Sequence, residues 1–142
     1  MADTVEKRIY QALVLAARAV VLPAGWDLVE PGEDYDTTAE SRFVSIEVHF
    51  NRSIETDLSL ELDPIRQGFM RANVMLPKGR AIVDGYDVAG TVRESFRRGS
   101  TALQSGVLVR IDEDPELANL MTGDTHHTIP VTIRWRCYHQ PA

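Results

Sequence analysis

The segment GDTHHTIPVTIRWRCYH, residues 123–139, sets an aspartate just ahead of two adjacent histidines and then alternates strictly between apolar and polar positions. Asp124, His126 and His127 are the residue types of a zinc site or an acid/base pair, since neutral imidazole binds zinc and a carboxylate completes or orients the set. Their spacing argues otherwise. Zinc gathers several ligands around itself, whereas neighbours in an extended chain point to opposite sides, so a single ion does not readily take both histidines. His49 and His139 stand at no motif distance, and the sequence contains neither HxxxH nor CxxC. The pattern predicts a polar turn leading into a strand, with no metal and no cofactor.

Other chemistry fares no better. GYDVAGT, residues 85–91, has the glycine spacing of a phosphate loop, but no lysine follows the second glycine and the segment falls inside a helical pattern. Asp34 with Asp36, Glu61 with Asp63, and Asp112, Glu113 and Asp114 are carboxylate clusters in acidic, loop-like runs, where solvation accounts for them. No serine sits at a strand-to-helix elbow. Cys137, the single cysteine, falls on the apolar side of the last strand, as a small buried hydrophobe would. The residues point away from an enzyme.

The elements that hold these positions follow from periodicity. Asp3 and Glu6 suggest a capping box, and Val5, Ile9, Leu13, Ala16 and Val20 predict a helix ending near Leu22 and Pro23. A short strand is expected at Trp26 to Val29, then an acidic loop to Glu40. RFVSIEVHF, residues 42–50, sends Val44, Ile46, Val48 and Phe50 to one face, and RQGFMRANVML, residues 66–76, sends Met70, Ala72, Val74 and Leu76. The connection from Asn51 to Ile65 is long for a hairpin and strongly acidic, as though it projects. Ile82, Tyr86, Ala89, Val92 and Phe96 mark a second helix closed by Arg97, Arg98 and Gly99, with Gly85 and Gly90 expected to make its first half irregular. Two more strands place Val107, Val109, Ile111, Ile129, Val131, Ile133, Trp135 and Cys137 inward. Pro130 lacks an N–H, so it should lie at an edge or face away from a partner. The fold predicted is a single α+β domain over residues 1–142: a mainly antiparallel sheet of four to five strands with two helices on one face.

Composition narrows the function. The 142 residues carry 21 acidic and 15 basic side chains, a net charge of −6, which speaks against general affinity for nucleic acid or anionic membrane. The apolar run ALVLAARAVVLPAG is broken by Arg18 and is too short to span a bilayer, with Asp3 and Glu6 in place of a basic leader. The expectation is a cytoplasmic start, under which Asn51-Arg52-Ser53 is an accidental match to a glycosylation acceptor.

One surface stands out. Opposite the predicted core lie Arg71, Arg110, Arg134 and Arg136 with Phe69, Met75 and Tyr138, against Glu47 alone of opposite sign. Arginine and aromatic residues are enriched in interfaces, and acids cluster in loops at 27–36, 55–63 and 112–116. Two arrangements fit: the arginines meet acidic loops of another copy, which closes into a ring where the rotation permits, or they are solvated or paired within their own chain. A module binding nucleic acid through the same face is the alternative function.

VRESFRRGSTALQSGVLVRIDEDPEL and HHTIPVTIRWRCY, with the first helix and RQGFMRANV in place, resemble the tail-terminator-like proteins of long-tailed bacteriophages, a tail-completion family. The carrying features are a helix ending Phe96-Arg97-Arg98-Gly99, a strand opening Gly106-Val107 and a last strand reading Ile129-Pro130-Val131-Thr132-Ile133. Residues 51–65 depart from the pattern, being longer and more acidic. The resemblance implies a structural protein without catalytic residues. It implies a six-membered ring at the tail–head junction of the virion, assembled in the host cytoplasm, that caps the tail tube, stops its polymerisation and offers a surface for joining the head. The implied partners are further copies of the chain, the tail tube protein and the head–tail connector, with DNA only passing through the ring and no membrane.

Overall fold

A computed structural model of the chain describes residues 4–38, 40–51, 65–79, 82–104 and 106–137. Asp3, residues 52–64, Tyr138 and His139 lie outside the described residues, and with them the capping box and most of the long acidic connection.

The first helix, α1 (Val5–Arg18), is capped by Thr4, whose side-chain oxygen accepts from the Lys7 backbone N–H at 3.2 Å. Ile9 and Leu13 are buried as the spacing requires, while Ala17 is buried in place of Ala16, which with Val5 and Val20 is only partly covered. The helix stops at Ala19, short of the expected Leu22. Pro23 forces the residue before it into extended backbone and Val20 and Val21 are stiff in a helix, so the chain leaves early. The Arg18 guanidinium then grips Glu30 and holds its carboxyl below the usual range.

The strands in chain order are β1 (Asp27–Val29), β2 (Phe43–Phe50), β3 (Arg66–Pro77), β4 (Thr101–Gln104), β5 (Val107–Ile111), β6 (Glu116–Leu117), β7 (Met121–Thr122) and β8 (His126–Cys137). They form one sheet in the order β1-β2-β3-β8-β5-β4, with β6 and β7 also paired to β8. The sheet is therefore larger than the four to five strands expected. It is also mixed, because β1 runs parallel to β2; the 30–42 loop is long enough to bring the chain back in the same direction. β4 escaped notice as a short stretch between Gly99 and Gly106, whose φ angles of 92° and 83° turn the chain at either end. β6 and β7 have two residues each, too few to show a period.

β8 lies at the centre, with β3 along one side and β5, β6 and β7 in succession along the other. Pro130 resolves as foreseen. Its carbonyl accepts from the Ala118 N–H at 2.9 Å, so its nitrogen faces the same side, into the break between β6 and β7.

The second helix, α2 (Ile82–Ser95), is continuous rather than irregular, and the 85–91 segment is plain helix within it. Its buried residues are Gly85, Val88, Ala89 and Val92, followed by Phe96, while Ile82 and Tyr86 face solvent. The rotation has a steric cause: a Cβ on Gly85 would lie 2.9 Å from Leu76 and 3.0 Å from Ile129, so glycine there lets the helix settle close to the sheet.

Both helices cover one face. α2 packs on β3, β6 and β8, and α1 on β4, β5 and β2. Glu30, beyond β1, and Gln104, at the end of β4, line one cleft along α1, which shows that the sheet's outer strands curl toward that helix. The core holds every inward residue expected of β5 and β8, with Ile129, Val131, Ile133 and Cys137 fully buried. Phe50 shares this face but sits at the rim, its ring edge-on to Trp135 at 5.3 Å. Gly68 lies between them in register, where a Cβ would meet the His49 carbonyl and the Trp135 ring.

Candidate functional site

Strand register decides which side chains share the uncovered face. Glu47 pairs with Arg71, Arg71 with Thr132, Phe69 with Arg134, Gln67 with Arg136 and Arg136 with Arg110. Cross-strand partners lie on the same side of a sheet, so Phe69, Arg71, Met75, Arg110, Arg134 and Arg136 do come together on the face away from the helices. Tyr138 falls outside the described residues.

That face has two ends of different character. At one, Met75 lies between Phe43 and Thr128 in register, and Tyr35, from the loop ahead of β2, packs on Phe43. Phe43 is buried, with the Tyr35 ring 4.9 Å away and the His126 ring 5.8 Å away, edge-on. The Tyr35 hydroxyl donates to Asp27 at 2.8 Å; burial first, and that bond second, push its pKa up. His126 is thus not a turn residue. It opens β8, is 5% exposed, and bonds Ser41 and Thr125 through its two nitrogens. His127 instead bonds Thr122 on the other side of the strand, so the adjacent histidines diverge as extended backbone requires. Among the described residues no group of three or more His, Cys, Asp or Glu could hold a metal ion.

The other end is open and polar. Arg71 reaches over the Phe69 ring, 5.2 Å from its centroid, and His49 stacks on that ring at 4.5 Å and 20°. Glu47 accepts from Asn73 at 2.8 Å and stands 3.6 Å from the His49 ring nitrogen, while the Nε of Arg71 is buried without a hydrogen bond. Arg134 lies 3.3 Å from Glu116 and 3.9 Å from Glu113, and Arg136 lies 3.6 Å from Asp112. Arg110 is engaged as well. Of the two arrangements open to the 112–116 acids, contact with another copy or pairing within the chain, Asp112, Glu113 and Glu116 adopt the second in the single subunit. These pairs are roughly half exposed and carry little stability. Periodicity found the arginines but missed Phe43 and His126, although a large aromatic at an outward position already signals that something covers it.

The family model for the phage tail terminator protein matches residues 3–135. The chain belongs to the phage tail terminator family. Membership places it among the structural proteins of phage tails. Four chains of solved structure match. One of them is 20% identical, covers 97% of this chain and 96% of its own, and superimposes with a TM-score of 0.70, a likeness of fold. No curated protein matches the sequence. No helix among the described residues is long and apolar enough to cross a membrane.

Proposed function

We propose that the protein is the subunit of a homo-oligomeric ring, with six copies as the resemblance implies, that caps the phage tail tube at the tail–head junction. There it stops tube polymerisation and offers the surface on which the head–tail connector docks. The observation that carries this reading is the family match across residues 3–135, nearly the whole described chain. The architecture supports it, since a sheet backed by two helices is a rigid plate whose uncovered face bears Phe69, Arg71, Arg110, Arg134 and Arg136 for contact with the tube or a neighbouring copy. DNA enters this reading only as what passes through the ring. As a nucleic-acid-binding surface the face is weakened by Glu113, Glu116 and Asp112 beside Arg134 and Arg136, and by the net charge of −6.

The test is a phage lacking the gene, its tails measured by electron microscopy with and without the gene supplied in trans. Overlong tails and unjoined heads, both corrected by the supplied gene, are the expected result. Tails of normal length joined to heads in its absence would overturn the reading, and steeply salt-dependent DNA binding by the purified protein would favour a nucleic-acid role.

A further inference from the structure

Resting on the ring reading, we propose that the outer face around Arg71 receives the 30–42 loop of a neighbouring copy, with Asp34 and Asp36 as the acids that meet its guanidinium. Of the four arginines on that face, Arg110, Arg134 and Arg136 are engaged within the chain. Arg71 differs. Among the described residues its guanidinium has no hydrogen bond and no ion pair; its Nε is buried without a partner, and it lies over the Phe69 ring. Its cross-strand neighbour Glu47 turns its carboxylate to Asn73 at 2.8 Å and toward His49 at 3.6 Å instead. A guanidinium already stacked on an aromatic ring is preorganised, and its planar fork of donors fits carboxylates. Arginine and aromatic rings at the middle of a surface, with ion pairs toward its rim, have the composition of an interface centre.

Charge names the occupant. Asp112, Glu113 and Glu116 are taken by arginines of their own chain, and Glu30 by Arg18. Asp34 and Asp36 are exposed, and their carboxylates have no hydrogen bond or ion pair among the described residues. They flank Tyr35, whose ring lies 4.9 Å from that of Phe43 and whose hydroxyl donates to Asp27. The loop is thus pinned between the two acids and presents them together. They do not reach Arg71 of the same chain. Phe43, on which Tyr35 packs, pairs with Met75, four residues from Arg71 along β3, or roughly 13 Å. The loop joins β1 to β2 at one edge of the sheet, whereas Arg71 lies on the open face of the third strand in. Giver and receiver are therefore different surfaces, and contact between different surfaces is the head-to-tail kind that a ring repeats.

The test exchanges the charges in the full chain. One form carries Arg71→Glu and the other Asp34→Lys with Asp36→Lys, and circular dichroism melts establish that each subunit folds. Rings are counted by electron microscopy, with tail tubes present if rings require them, and their composition is read by mass spectrometry. Neither form should make rings alone, since every interface then sets like charges together. An equal mixture should make rings in which the two forms alternate, as six copies permit, because each loop then meets a face of opposite charge. Arg71→Gln, which adds no charge beside Glu47, should raise the protein concentration needed for rings by roughly tenfold or more. Rings formed by either reversed form alone as readily as by the unsubstituted protein, or a mixture of folded forms that makes none, would overturn the contact and leave the ring reading standing. If Arg71→Glu does not fold, Arg71→Gln decides, and unchanged assembly by it would overturn the contact. Rings of normal yield that no longer seat on tubes would assign Arg71 to the tube protein, which overturns the proposal as well. Absence of rings from the unsubstituted protein, with and without tubes, would overturn the ring reading itself.

Discussion

The Nε2–H of His126 donates to the backbone carbonyl of Ser41 across 2.8 Å, joining the first residue of the central strand to the loop that enters β2, 85 residues earlier in the chain. The other ring nitrogen meets the Thr125 hydroxyl at 2.9 Å, so the imidazole is fully used. His126→Ala leaves a carbonyl unpaired beside Phe43 and is expected to cost about 1–3 kcal/mol. His127→Ala, which loses a bond to Thr122 at the exposed rim, should cost roughly 0.5 kcal/mol or less. Urea unfolding of the two single variants checks this; equal, small losses would show that the loop is not held through His126.

Ile133 and Arg134 are chain neighbours with opposite fates, one fully buried and the other at the open end of the outer face. Ile133→Ala is expected to destabilise by about 2–5 kcal/mol, and Arg134→Ala by less than about 1 kcal/mol. Charge reversal at Arg134 and Arg136 together would set like charges against Glu113, Glu116 and Asp112, so amide exchange should quicken over residues 112–117 while the core stays protected. If Arg134→Ala proved as costly as Ile133→Ala, the outer face would have to be buried within the subunit.

Gly85 and Gly90 lie in one helix yet should respond in opposite senses to alanine. A Cβ at Gly90 meets nothing within 4 Å, so Gly90→Ala should stabilise by about 0.5–1 kcal/mol through helix propensity. At Gly85 the same atom presses on Leu76 and Ile129, both fully or almost fully buried, and overpacking costs about 1–3 kcal/mol, more than the propensity gain. Thermal melts of the two variants decide the matter, and a rise in melting temperature for Gly85→Ala would mean that α2 does not sit as close as described.

Much of the fold is legible in the sequence wherever a long element has one wet and one dry side. β2, β3, β5 and β8 show it, because alternation over several residues admits few other readings. α2 shows the limit. Apolarity nominated Ile82 and Tyr86 for the buried side, but closeness of approach, set by Gly85, chose Val88 instead. β6 and β7 are two residues long and exist because a neighbouring strand offers them partners, which no local pattern records; β1 is legible as a short strand at Trp26 to Val29, but its parallel pairing with β2 is not. The outer face was half legible for a similar reason. Strand period placed its arginines on one side, but their pairing with residues 112–116 depends on where a turn folds back, and the burial of Phe43 depends on a loop whose own sequence is merely acidic and polar.

Among the described residues the strand at the centre of the sheet is also the last of the eight in chain order, and β3, β5, β6 and β7 all pair with it. During synthesis those four emerge before the partner that unites them. Until β8 leaves the ribosome, β3 has only β2 beside it, and the apolar faces of β5 and both helices have no finished sheet to rest on. Completion of the fold is thereby deferred until residues 126–137 have emerged. Nascent chains halted before residue 126 should behave as loose intermediates that call on chaperones, while extension through Cys137 should bring protease resistance in one abrupt step.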